Sequence, residues 1–133
     1  YAGHLGADVV IAYKERKKAN QVDEMFLIGD VEGRNVILID DMIDTAGTLC
    51  KAADILMANG ALSVRAMATH GVLSGKAYEN IENSKLSEVI VTDTIPVKTE
   101  LSSKIKVLSC AELFADVMEM VHEHKSISDK FII

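Results

Sequence analysis

Asp40 and Asp41 end an apolar run, Asn35-Val36-Ile37-Leu38-Ile39, and Asp44-Thr45-Ala46-Gly47-Thr48 follows almost at once. Carboxylates accept hydrogen bonds, while threonine hydroxyls and backbone N–H groups donate them. The run is short, β-branched and without alternation, which predicts a buried parallel strand over 35–39. A helix is expected from Leu49 to Asn59. Its first turn has N–H groups without intrahelical partners and the positive end of the helix dipole, a ready place for a phosphate. Gly47 lets the backbone approach an anion closely. Asp40 and Asp41 repel a bare phosphate, so they suit sugar hydroxyls or a cation that travels with the ligand. The chemistry is that of a sugar phosphate held at a strand-to-helix turn. The plain alternative is an acidic strand end followed by a threonine helix cap, which many α/β proteins have.

Four other groups of residues carry possible chemistry. Lys14-Glu15-Arg16-Lys17-Lys18 is a charged run after a strand expected from Ala7 to Tyr13, and such a run is by default a solvated loop. His70 follows another strand and precedes a glycine, where a hydrogen-bonded structural histidine is the simple reading. Cys50 and Cys110 fall at helix starts without metal-ligand spacing and read as small buried residues in a reduced, cytoplasmic setting. Ser126-Ile127-Ser128 lies near the end of the sequence and would ordinarily be a tail.

The elements that must position these residues alternate. A helix end at Tyr1 to Gly6 precedes the first strand, and a strand at Glu24 to Ile28 leads into a turn at Gly29 to Gly33. Strands are expected at 63–69, 88–92 and 106–108, with helices at 74–82 and from Ser109 to about His124. Ser109 and Glu112 have the spacing of a capping box, and Leu113, Phe114, Val117, Met120 and Val121 recur at helical spacing as a core-facing stripe. Val97 to Ser103 reads as an exposed loop. Alternation of this kind predicts an α/β fold, doubly wound, with a mostly parallel sheet and helices on both faces. With 133 residues, 49% of them hydrophobic, one core and one domain are expected. A net charge of −6 argues against nucleic acid, which needs a basic face, and no stretch approaches a membrane span of about 20 apolar residues.

The Asp40 to Thr48 pattern resembles the phosphoribosyl-pyrophosphate motif of the type I phosphoribosyltransferase fold. The flanking landmarks resemble one family within it, ribose-phosphate pyrophosphokinase: Gly29-Asp30-Val31-Glu32-Gly33-Arg34, Ala68-Thr69-His70-Gly71-Val72-Leu73-Ser74-Gly75, Val91-Thr92-Asp93-Thr94-Ile95-Pro96 and Lys106-Val107-Leu108-Ser109. The resemblance implies transfer of pyrophosphate from ATP, as its magnesium complex, to ribose 5-phosphate, giving phosphoribosyl pyrophosphate and AMP. Asp44, Thr45, Ala46, Gly47 and Thr48 would then hold the 5-phosphate and Asp40 and Asp41 the ribose 2- and 3-hydroxyls. Lys14 and Arg16 match the catalytic pair of a mobile loop that stabilises charge on the transferred group; Glu15 and the stretch 17–19 depart from the family pattern. Ser126 and Ser128 match a regulatory site for ADP or phosphate between subunits, with Lys130 where an apolar residue is usual. The family forms homo-oligomers, hexamers among them, and has two similar domains. The chain is therefore expected to be the C-terminal one, inactive alone, with the metal ligands mostly in the other half. A nucleobase phosphoribosyltransferase and a non-catalytic, synthetase-associated regulatory subunit are the alternatives. The first would want a base-binding hood, and the second has no need of Lys14 and Arg16.

Overall fold

The computed structural model describes residues 1–15 and 24–131. A single helical turn, α1 (Ala2–Leu5), ends as expected at Gly6, whose left-handed φ of 61° only glycine adopts freely. Strands β1 (Ile11–Glu15) and β2 (Glu24–Ile28) pair antiparallel as a separate two-stranded ribbon, Ile11 opposite Ile28 and Tyr13 opposite Phe26. The first strand thus begins four residues later than the sequence suggests. It also runs through Lys14, so Lys14 is a strand residue and not the start of a loop.

The main sheet is wholly parallel. Strand β3 (Asn35–Ile43) is followed by helix α2 (Gly47–Ala58), β4 (Ser63–Gly71), α3 (Ala77–Asn83), β5 (Glu88–Thr92), β6 (Ile105–Leu108) and helix α4 (Ala111–His122). The four strands lie side by side in the order of the sequence, β3-β4-β5-β6. This is the α/β class, with the mostly parallel sheet that strand and helix alternation implied. Right-handed crossovers between strands laid down in that order bring α2 and α3 onto one face of the sheet. There Ala53 and Leu56 of α2 and Ala77 and Ile81 of α3 pack on Val64, Ala66, Val89, Val91 and Ile105, all of them buried. Side chains alternate along a strand. On the other face Ile37, Ile39 and Met67 are 49%, 48% and 38% exposed.

Four local expectations are corrected. Strand β3 runs four residues past Ile39, because β4 continues beside it and pairs Asp40 with Ala68, Met42 with His70 and Ile43 with Gly71; ladder hydrogen bonds override the low strand preference of aspartate. The stretch 97–103 is more than an exposed loop. It makes a 3-10 turn at Thr99–Leu101, and Ser102 is buried with its hydroxyl donating to Glu82 Oε2 at 2.6 Å. Helix α4 does not put its apolar stripe in the core: Leu113, Phe114 and Val121 stay about half exposed and no residue of the helix is buried. It follows β6, an edge strand of the sheet, where few neighbours are within reach. Its first turn has no side-chain cap, so the Ser109–Glu112 box does not form; Asp93, just after β5, anchors the approach by accepting from Ser109 Oγ at 2.5 Å and from the Cys110 N–H at 2.8 Å. Among the described residues no helix is long and apolar enough to cross a membrane.

Candidate functional site

Open parallel sheets bind ligands at the carboxyl ends of their strands. At that edge a hollow of about 180 Å³ is lined by Asp40, Met42 and Ile43 of β3 and by every residue from Asp44 to Leu49. It is smaller than the roughly 300–1,000 Å³ of drug-sized sites and of a size for a small polar ligand. The run from Asp44 to Thr48 is therefore brought together in one concave surface with Asp40. Strand alternation turns Asp41 toward the opposite face of the sheet; both carboxylates are exposed, and Asp40 Oδ1 accepts the Asp41 N–H at 2.9 Å.

Helix α2 opens without a side-chain cap. Its N-cap is Ala46, in the left-handed region at φ 60° and buried, and neither threonine hydroxyl caps the first turn. The threonine-cap alternative is thus not what the chain does, and the orphan N–H groups of the first turn face the hollow uncapped. A β-carbon built on Gly47 would meet only Thr45 Oγ1, at 3.9 Å, so the backbone there is open to close approach.

The next crossover grips this turn. Leu73 N–H donates to the Ile43 carbonyl at 3.0 Å and Ser74 N–H to the Asp44 carbonyl at 3.1 Å. Ser74 Oγ also donates to the Asp44 carboxylate, and Asn80 Nδ2 on α3 donates to the Thr45 carbonyl at 2.9 Å. Leu73 itself is left-handed at φ 49°, so two loops meet with a non-glycine residue in that region on each side. Such conformations cost about 1–3 kcal/mol each and persist where neighbours hold them. Sequence reading passed over Ser74 and Asn80. Ser74 lay inside a family landmark, but nothing in the sequence ties residue 80 to residue 45.

The remaining candidates are placed less centrally. Lys14 pairs with Met25 in β1, while Arg16, with 17 and 18, lies outside the described residues. His70, half-buried at the end of β4, shares a hydrogen bond of 2.8 Å between Nδ1 and Thr94 Oγ1, and the Thr92 hydroxyl donates to the Thr69 carbonyl at 2.6 Å. That network ties the ends of β4 and β5, as the structural reading of His70 expected. Ser126 and Ser128 are exposed with their hydroxyls 2.8 Å apart, and Lys130 binds Asp116 of α4 at 2.7 Å. Cys50 is half-buried in the first turn of α2; burial pushes its thiol above the ordinary range, and its Sγ lies 3.5 Å from the Asn80 carbonyl. Cys110 is half-buried at the start of α4.

The chain is similar to known proteins over nearly its whole length. A ribose-phosphate pyrophosphokinase of Wolinella succinogenes is 54% identical over 132 residues, which are 99% of this chain and 42% of that protein. One of Campylobacter jejuni is 53% identical over 98% of this chain and 42% of its own length. The chain thus spans about two-fifths of the length of these relatives. The crystal structure of phosphoribosylpyrophosphate synthetase from Mycobacterium smegmatis superposes with a TM-score of 0.79 at 37% identity, covering 92% of this chain and 40% of that one. The family model described as the phosphoribosyl synthetase-associated domain matches residues 8–132. With the site at the sheet edge and a match across nearly its whole length, the chain belongs to the phosphoribosyl synthetase family, that of the ribose-phosphate pyrophosphokinases.

Proposed function

We propose that this chain supplies the acceptor-sugar half of a ribose-phosphate pyrophosphokinase, which moves the β,γ-pyrophosphoryl group of ATP onto the anomeric hydroxyl of ribose 5-phosphate. The observation that carries this reading is the uncapped start of α2, opening into the same hollow as Asp40. The turn from Asp44 to Thr48 takes the 5-phosphate on its N–H groups and on the hydroxyls of Thr45 and Thr48. Asp40 accepts from one of the ribose 2- and 3-hydroxyls inside the hollow, and the other is assigned to Asp41, which does not line it. Holding the sugar at both ends fixes where the anomeric oxygen lies. Alignment and charge neutralisation do most of the work in phosphoryl-type transfer, and little covalent chemistry falls to the protein.

Lys14 and Arg16 are assigned to the donor side, where two cations would offset the charge building on the transferred group. Magnesium belongs to this reaction as the partner of ATP. Among the described residues no three or more His, Cys, Asp or Glu come together to hold a metal ion, and no step here runs through one. As proposals on the same footing, Ser126 and Ser128 answer to ADP or phosphate as regulators, the working enzyme is a homo-oligomer in the cytoplasm, and the 133 residues are its C-terminal domain and do not turn over alone. Calorimetry with ribose 5-phosphate tests the core of the proposal. Binding by the chain, weakened at least tenfold by Asp40→Ala and clearly by Asp41→Ala, is expected; affinity indifferent to both substitutions would sink it. AMP release by the chain on its own, in a coupled assay, would overturn the claim that it is inactive alone.

A further inference from the structure

We infer that Asn80 is a positioning residue for the anion turn: from α3 it holds the Thr45 carbonyl, and with Leu73 and Ser74 it turns a run of N–H groups toward the ligand. The inference rests on the reading of 44–48 as the 5-phosphate turn and goes beyond it in naming what shapes that turn. Three successive carbonyls, those of Ile43, Asp44 and Thr45, accept from one neighbouring segment: from Leu73 N–H at 3.0 Å, Ser74 N–H at 3.1 Å and Asn80 Nδ2 at 2.9 Å. A trans peptide unit is planar, with its N–H opposed to its C=O. Holding these three carbonyls on the side of residues 73–80 therefore turns the N–H groups of Asp44, Thr45 and Ala46 to the other side. Successive N–H groups on one side of a turn make an anion-binding concavity. No acceptor among the described residues takes the N–H of Thr45 or Ala46.

Asn80 acts at the third of these units, just where the backbone enters the left-handed region at Ala46, φ 60°. The first two grips are backbone to backbone and survive any side-chain change, whereas the third depends on one amide. The geometry around Asn80 is itself braced: its N–H donates to the Lys76 carbonyl at 2.8 Å, and its carbonyl lies 3.5 Å from Cys50 Sγ in the helix that the turn begins. The amide is thus held between α3 and the turn. An ordinary, uncoupled Ala46 would relax toward negative φ, and its N–H would leave the concavity.

The test uses the 133-residue chain labelled with nitrogen-15, with ribose 5-phosphate as the ligand. In the free chain, labelled with carbon-13 as well, the three-bond coupling between the Thr45 carbonyl carbon and the Ala46 α proton reports φ, being large in the trans arrangement at φ 60° and small at negative φ. Asn80→Ala removes the donor; Asn80→Asp keeps the size and sets a carboxylate against the Thr45 carbonyl. Both variants are expected to shift the Ala46 coupling toward the value of negative φ before any ligand is added. Both are expected to weaken ribose 5-phosphate about tenfold, the effect of one hydrogen bond, with Asn80→Asp the stronger. An Ala46 coupling unchanged in both variants would overturn the inference. So would lost affinity with an unchanged coupling, because Asn80 would then touch the ligand and not shape the turn. If the wild-type chain does not take ribose 5-phosphate, the functional reading falls, and the coupling in the free chain still decides whether Asn80 sets the turn. If Asn80→Ala does not fold, the same coupling in Asn80→Asp decides.

Discussion

Gly71→Ala adds one methyl group at the end of β4, one ladder pair from the anion turn, where Gly71 faces Ile43. A β-carbon built there would meet Val91 Cγ2, Cβ and Cγ1 at 3.1, 3.2 and 3.2 Å, and Val91 is fully buried. These contacts are several tenths of an ångström inside the optimum of about 3.5–4.0 Å. Overpacking of this kind costs roughly 1–3 kcal/mol. Gly71 is not among the glycines with positive φ, so alanine fits the backbone and returns about 0.4–1 kcal/mol by restricting the unfolded chain. The net expectation is a loss of about 1–2 kcal/mol. Val91→Ala removes both Cγ atoms, two of the three close contacts, and alone costs about 1–3 kcal/mol for the two lost methyl groups. In that background the Cβ contact at 3.2 Å remains and Gly71→Ala should cost less, by a coupling of about 1 kcal/mol or more between the two positions. Urea unfolding followed by circular dichroism gives all four corners of the cycle, with an unchanged slope showing that the same surface is exposed. Equal costs for Gly71→Ala in both backgrounds, within about 0.5 kcal/mol, would refute the contact as the cause.

Ala46→Gly should leave stability within about 1 kcal/mol of wild type, because relief of roughly 1–2 kcal/mol of left-handed strain is offset by unfolded-state entropy and a lost buried methyl; Ala46→Val, β-branched at φ 60°, should be far less stable in the same urea series. Glu82 and Asp93 sit below the usual carboxylate range because donors favour their charged forms: the Ser102 and Ser103 hydroxyls for Glu82, and the Ser109 hydroxyl and Cys110 N–H for Asp93. The folded chain then binds fewer protons than the unfolded one, so their stabilisation is full above a pH of about 4.5 and drains away as the pH falls through the depressed values. Unfolding measured from pH 6 downward should show this loss, and Glu82→Gln should flatten it; an unchanged acid slope in that variant would count against the assignment. Cys50, its thiol raised by burial, should react with iodoacetamide at neutral pH more slowly than glutathione does, with a rate that climbs as pH rises, read by mass spectrometry.

How far these features were legible in the sequence follows from what holds each of them. Strand β5 forms over Glu88–Thr92 as expected, because a buried parallel strand is written locally as an apolar, β-branched run. Strand β3 was legible only to Ile39. Asp40 to Ile43 join it because β4 is alongside, and aspartates carry no local sign of that. The stripe on α4 has the right period, but period says which residues share a face and not whether anything covers it. The site divides in the same way. The loop residues were visible from their own types and order, since carboxylate, hydroxyl and glycine chemistry is local. The capless left-handed start at Ala46 and its grip by Asn80 depend on residues 35 positions apart, which only the fold brings together.

The strand order β3-β4-β5-β6 also gives the site a history. Each strand of the sheet, as it is synthesised, finds its neighbour already made, so the sheet can grow from one side without waiting for a distant partner. The residues that bind are therefore produced before those that shape them: the turn at 44–48 precedes Leu73, Ser74 and Asn80 by a full crossover. A nascent chain extended only through β4 would carry the carboxylates and threonines with the turn still free, and competence to bind would arrive with α3. Chains tethered to the ribosome through an added linker that fills the exit tunnel, with the natural sequence ended before or after residue 83, compared for retention on immobilised ribose 5-phosphate, would show whether it does; equal retention would mean that the turn shapes itself.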